Sequence, residues 1–196
     1  MAENAVERKL RAILSADVVD YSRMISEDRV GTHHTLTARL ESIRSIISEH
    51  KGRVFSSPGD AIMAEFPSVV DSVQCAINIQ ESIEAINDEV PGNQMMRFRI
   101  GVNIGDVIVN GEQIYGDGVN IAARLEKLAD AGGICLSERA YEEVENKLEL
   151  PYIYWGIQKL KNIARPIKVY SVKLSPGPGN YHVSKKLMWE QIPTSN

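Results

Sequence analysis

The spacing of apolar residues changes several times along the chain, and each change predicts an element. Ala12-Ile13-Leu14-Ser15-Ala16-Asp17-Val18-Val19 is a nearly unbroken apolar run that begins abruptly after charged residues. That is the pattern of a buried strand, and an acidic residue near its end is unusual. Over about residues 28–50, Leu36, Leu40, Ile43 and Ile47 recur at three- and four-residue steps. They predict a long amphipathic helix, with Gly52 as its stop. Residues 54–56 and 61–66 predict two strands joined by the turn Pro58-Gly59-Asp60, a hairpin with a carboxylate at its tip. Ser68 is placed to cap a second helix, whose Val69, Val73, Ala76, Ile77, Gln80 and Ile83 line one side as core.

Residues 97–104 predict a central strand with Phe98, Ile100 and Val102 on one face. Gly105-Asp106 is expected to break it, with 107–109 either continuing the strand or pairing elsewhere. A glycine-rich loop at 110–118 leads to a helix at 119–129, a short strand at 133–136 and a further helix capped by Ser137. Residues 152–160 and 167–172 predict a closing hairpin. From Ser175 on, Pro176, Gly177, Pro178 and Gly179 mark a linker. The expected division is therefore one domain at 1–174 and a linker and tail at 175–196. Hairpins alternate with crossovers, which implies an α+β sandwich on one mixed sheet.

Composition narrows the function more than the fold. With 196 residues, 43% of them apolar and 24% charged, the chain is an ordinary globular one with a sizeable core. Its net charge of −4 and lack of a long basic stretch argue against a general nucleic-acid binder, though not against a local cationic pocket for a triphosphate. Cys75 and Cys135 are far apart and outside any CxxC spacing, as expected of two buried thiols in a reducing compartment. Residues 1–10 carry Glu3, Glu7, Arg8 and Lys9 and have no apolar h-region. No apolar run approaches the roughly 20 residues that span a bilayer. The expectation is a soluble, cytoplasmic chain with no membrane insertion.

Two carboxylates stand out, Asp17 at the end of a buried strand and Asp60 at a hairpin tip. Brought together they would repel unless a divalent cation sat between them, and paired cations serve in-line displacement at phosphorus. An ordinary cap and an ordinary turn residue fit the same spacing. Asn120 and Arg124 lie four apart on a predicted helix and so share a face. An amide beside a guanidinium suits a ribose oxygen and a phosphoryl group gaining charge, and it equally suits a solvated helix face. Lys161 alone reads as a surface charge, and His33-His34 as a solvated pair. There is no P-loop, no dinucleotide fingerprint after Gly116-Asp117-Gly118, and no nucleophile–base–orienter set.

Three segments together resemble the class III adenylate and guanylate cyclases, most of all their bacterial branch. The run from Ala12 to Ser22 is similar to the opening motif of that family, and Pro58-Gly59-Asp60-Ala61-Ile62-Met63-Ala64-Glu65-Phe66 to its second acidic hairpin. Arg99-Ile100-Gly101-Val102-Asn103-Ile104-Gly105, running on through Ile114-Tyr115-Gly116-Asp117-Gly118-Val119-Asn120-Ile121-Ala122-Ala123-Arg124-Leu125-Glu126, resembles its longest signature. The resemblance spans about residues 11–172. It implies a ferredoxin-like βαββαβ core in a mixed sheet, with a C-terminal hairpin. It implies that Asp17 and Asp60, with the Val18 carbonyl, bind two Mg2+ or Mn2+ ions. It assigns Asn120 to the ribose, Arg124 to the pentavalent phosphorus, Lys161 to the terminal phosphates and Arg99 to an assisting role there. It also implies a homodimer, with Asp17 and Asp60 from one chain and Asn120, Arg124 and Lys161 from the other.

Two positions depart from the pattern of the family. The lysine and aspartate that read adenine are here Ser56 and Gln113. A hydroxyl and a flippable amide do not firmly separate adenine from guanine. The favoured expectation is an adenylate cyclase acting on ATP, with the hydroxyl proton going to Asp17 or to bulk water. The alternatives are a guanylate or mixed-specificity cyclase acting on GTP, and a silent cyclase-homology module that binds nucleotide or only dimerises. A regulatory domain in a longer natural protein is a further expected partner.

Overall fold

The computed structural model describes residues 7–172 and 174, so the expected tail at 175–196 lies outside the described residues. Strand β1 (Glu7–Val18) leads into helices α1 (Tyr21–Glu27) and α2 (Arg29–Glu49), then the hairpin of β2 (Arg53–Ser56) and β3 (Ile62–Phe66). Helix α3 (Val69–Glu89) and a 3-10 turn (Gly92–Gln94) precede β4 (Phe98–Asn110), β5 (Gln113–Tyr115) and helix α4 (Asp117–Leu128). Strand β6 (Ile134–Ser137), helix α5 (Glu138–Val144) and the hairpin of β7 (Tyr152–Gln158) and β8 (Ile167–Val172) complete the order.

The strands form one sheet in the order β2-β3-β1-β4-β6-β8-β7, with β5 paired to β4. β2, β3, β1 and β4 are antiparallel neighbours and, with α2 and α3, make the expected βαββαβ core. β6 joins β4 in parallel, and the β7–β8 hairpin closes that side. The unbroken apolar run of β1 follows from this placement at the centre of a sheet covered on both faces. Ala12, Leu14 and Ala16 pack with Leu36, Ile43, Val73, Ile79 and Ala140 of α2, α3 and α5, whereas Ile13 packs with Ala122 of α4. The helices begin where capping chemistry allows. Asp28, Ser68 and Ser137 accept from the N–H groups of Gly31, Asp71 and Ala140 at 2.9, 3.3 and 3.3 Å.

Several local expectations need correction. Gly105-Asp106 does not break β4, because β1 starts at Glu7, well before the apolar run, and pairs Arg11 with Gly105 and Leu10 with Asp106. The supposed loop at 110–118 contains β5, folded back by a tight turn with Gly111 at φ +60°. The left-handed residue after α2 is Lys51 (φ +62°), not Gly52. Gly52 is needed for room, since a Cβ there would lie 2.4 Å from the Phe66 ring and 2.7 Å from Ile47. Helix α1 was not foreseen; it buries no residue and so leaves no apolar stripe to detect. Other expectations hold. Cys75 and Cys135 are free and buried, and burial pushes both thiols up to about 12, which makes them unreactive. His33 and His34 are exposed. Among the described residues no helix is long and apolar enough to cross a membrane.

Candidate active site

Sheet register brings the first two site residues face to face. Asp17 on β1 lies opposite Arg99 on β4. Arg99 donates from Nε and Nη2 to Asp17 Oδ1 at 3.1 and 3.0 Å, and from Nη2 to Oδ2 at 3.0 Å. This forked pair is only partly open to solvent, at 13% for the Asp17 side chain and 27% for Arg99. Asp60 arrives from the next strand. β3 pairs antiparallel with β1 so that Ile62 stands opposite Ala16. The turn before it, closed by Ala61 N–H donating to Pro58 O at 3.0 Å, therefore falls at the end of β1 where Asp17 and Val18 lie. Asp60 is half-buried in that turn. Both carboxylates thus come to the same end of two adjacent strands.

The donor chemistry there suits a hard divalent cation. No group of three or more His, Cys, Asp or Glu side chains gathers into a closed metal cage among the described residues. Two carboxylates and a backbone carbonyl supply oxygen only and leave most of an octahedral shell for phosphate oxygens and water, which is how magnesium is usually held beside a nucleotide.

Helix α4 carries the next pair. Its buried stripe is Gly118, Ala122, Leu125 and Glu126, which leaves Asn120 exposed and Arg124 half-buried on another face. Two devices hold the helix against β4. Asn103, 2% exposed, donates from Nδ2 to Gly118 O at 3.0 Å. Gly101 lets the helix backbone approach so closely that a Cβ there would sit 2.3 Å from both Ala122 O and Glu126 N. These are backbone atoms and cannot swing aside, so Gly101→Ala would force α4 off the sheet. We expect a loss near the upper end of the roughly 1–3 kcal/mol typical of overpacking, read as a lower midpoint in denaturant unfolding.

Lys161 is exposed on a turn beginning at buried Leu160, where Ile163 N–H donates to Leu160 O at 3.2 Å. Ser56 is half-buried at the end of β2, and Gln113 is exposed at the start of β5. β2 is tied to the β4–β5 turn by Arg53 donating to Glu112 O at 3.3 Å. Among the described residues, no hydrogen bond or ion pair connects Asn120, Arg124 or Lys161 with Asp17 or Asp60. The single chain thus brings together Asp17 and Arg99, sets Asp60 at the same sheet end, and presents Asn120, Arg124 and Lys161 separately.

Sequence reasoning missed a buried polar pair beside Asp17. Ser15 Oγ donates to Glu126 Oε2 at 2.6 Å, with Ser15 at 0% and Glu126 at 3% exposure. Glu126 Oε1 is buried with no hydrogen-bond partner. Burial, reinforced by the neighbouring Asp17, raises the Glu126 carboxyl to about 7 against the lowering effect of the Ser15 hydrogen bond. The available signal was position: Glu126 falls on the inward stripe of α4, eight residues after Gly118, where an apolar side chain belongs. A cleft of about 770 Å³ opens beside the start of α4, yet it is lined by none of the expected site residues. Its Arg8, Arg139 and Arg165 are matched by Asp106, Asp117 and Glu138, so it has no net charge to draw a triphosphate.

Comparison with known proteins identifies the family and the fold. Residues 7–172 match the family model described as the adenylate and guanylate cyclase catalytic domain. A Rhizobium meliloti protein named "Putative adenylate cyclase 3" is 40% identical over 172 residues, covering 87% of this chain and 29% of its own length. The solved adenylate/guanylate cyclase/hydrolase from Silicibacter pomeroyi is 33% identical, with a TM-score of 0.82 over 87% of this chain and all of that one. The adenylyl cyclase CyaB from P. aeruginosa, at 22% identity, shares the fold with a TM-score of 0.77 over 87% of this chain and 97% of its own. The family match over residues 7–172, with a relative 40% identical over 87% of the chain, makes the chain a member of the class III adenylate and guanylate cyclase catalytic domain family. It spans less than a third of the length of the Rhizobium relative.

Proposed function

We propose that the chain converts a nucleoside triphosphate, ATP in the first place, to a 3′,5′-cyclic monophosphate and pyrophosphate at sites shared between two copies of itself. The observation that carries this reading is the arrival of Asp17 and Asp60 at one end of adjacent strands while Asn120 and Arg124 lie off the buried stripe of α4, with no hydrogen bond or ion pair to either. A two-fold dimer supplies the missing juxtaposition twice over.

In this reading Asp17, Asp60 and the Val18 carbonyl hold two Mg2+ or Mn2+ ions. When bound, these would lower the pKa of the ribose hydroxyl and neutralise the leaving pyrophosphate. Asn120 orients the ribose so that the 3′-oxygen attacks the α-phosphorus in line. The new O–P bond forms as the bond to pyrophosphate breaks, and the hydroxyl proton leaves to Asp17 or water. Arg124 meets the equatorial oxygens as they gain charge. Lys161 and Arg99 hold the terminal phosphates in this reading; the pairing of Arg99 with Asp17 at one sheet end supports the assignment of Arg99.

The Rhizobium relative's name supports ATP. Ser56 and Gln113 favour a second reading, a guanylate or mixed-specificity cyclase, or a silent binding module, because neither side chain imposes one base. Incubation with ATP or GTP and Mn2+, with products identified by mass spectrometry, separates these. Cyclic AMP in excess is the expected product. Cyclic GMP in excess would reverse the base assignment, and no cyclic product from dimeric protein would leave only the binding module.

A further inference from the structure

Ser15 and Glu126 sit on the two elements that carry the proposed machinery, the strand of Asp17 and the helix of Arg124. Ser15 lies two residues before Asp17 on the same face of β1, and Glu126 lies two residues after Arg124 on α4. Opposite them the register repeats: Ser15 pairs with Gly101 and Asp17 with Arg99. The helix backbone at Glu126 presses on Gly101. Asn103 and Gly101 fix α4 to β4, whereas the 2.6 Å bond from Ser15 to Glu126 is the side-chain hydrogen bond that ties α4 to β1 among the described residues. Apolar packing would satisfy this spot more cheaply, because a buried carboxylate with one oxygen unpaired is costly. Apolar contact is non-directional, however, and lets a helix slide; a short hydrogen bond sets its place along the strand.

We infer that Ser15 and Glu126 are positioning residues, a link that holds the Asp17 strand and the Arg124 helix of one chain in fixed relation. This rests on the shared-site reading above. In a two-fold dimer, Asp17 and Arg124 of one chain serve different sites, so the link joins one active site to the other.

Mixed dimers test it. An Asp17→Ala chain paired with an Arg124→Ala chain leaves one complete site, with Asp17 from the second chain and α4 from the first. Ser15→Ala is then added to either chain in turn. The link predicts that kcat at the live site falls about tenfold or more in both placements, with KM changed less than about threefold. A loss in only one placement means local support of one half-site, and no loss in either means no role; both overturn the inference. Glu126→Gln keeps an acceptor for the Ser15 hydroxyl and retains most of the turnover, whereas Glu126→Leu behaves like Ser15→Ala. If mixed dimers show no activity before Ser15 is changed, the shared site fails, and hydrogen exchange on the single-variant chain decides the link. Ser15→Ala must then speed amide exchange in both 13–18 and 118–128, and an effect confined to one segment overturns it.

Discussion

Asp17→Ala and Asp60→Ala are each expected to abolish cyclic-nucleotide formation while leaving a folded protein. The two effects differ in size for a physical reason. Asp17 stands near the end of β1 between the core residues Ala16 and Val18, but on the opposite face, and its partner Arg99 keeps 27% of its side chain in solvent. Removing the carboxylate therefore leaves a guanidinium that water can reach, at a cost of about 1–2 kcal/mol. Asp60 sits in a turn whose closing bond, Ala61 N–H to Pro58 O, involves only backbone. Its removal should cost less still. In the proposed mechanism, by contrast, each carboxylate is one of the two charged ligands that would hold the cations, worth several kcal/mol in the transition state. Thermal unfolding and product assays on the same samples separate the two. A near-native melt with no product is the expected pair, and full activity in either variant would remove the cation proposal.

Arg124→Ala is expected to lower kcat by roughly 10²–10³, as losing one preorganised donor to a developing oxyanion typically does. The side chain is half-buried beside Ile121 and Leu128, which pack against the core, but it makes no hydrogen bond or ion pair among the described residues, so stability should change little. The loss should fall mainly on kcat, since the charge that Arg124 meets develops in the transition state. Arg124→Lys should restore little, because an ammonium lacks the planar fork that spans two phosphoryl oxygens. A variant with unchanged kcat and a raised KM would instead assign Arg124 to ground-state binding.

What the sequence disclosed divides along physical lines. Elements with a clear period were legible: the buried run of β1, the apolar stripe of α3 and the caps at Ser68 and Ser137 all stand where the pattern puts them. Elements that depend on a distant partner were not. β4 crosses Gly105-Asp106 because residues at the start of β1, too polar to announce a strand, pair with it. β5 is three residues long and exists only as the return of a tight turn. The site shows the same division. Asp17, Asp60, Asn120 and Arg124 are candidates that motifs alone single out, but the grip of Arg99 on Asp17 is a matter of register between residues 82 apart in sequence. Ser15 and Glu126 are separated by 111 positions, and although the place of Glu126 on the inward stripe of α4 marks it as buried, nothing in the sequence names its partner. Only the packing of α4 over Gly101 makes them a pair.

The most direct test is a count of bound Mn2+ by electron paramagnetic resonance, in the presence of a 3′-deoxy nucleoside triphosphate that cannot cyclise. The wild-type chain should take up about two ions per site. Asp17→Asn and Asp60→Asn, which keep shape and remove charge, should each lose ions from that total. Asparagine variants that bind manganese as the wild type does would contradict the account, because the two carboxylates would then have no part in holding the cations.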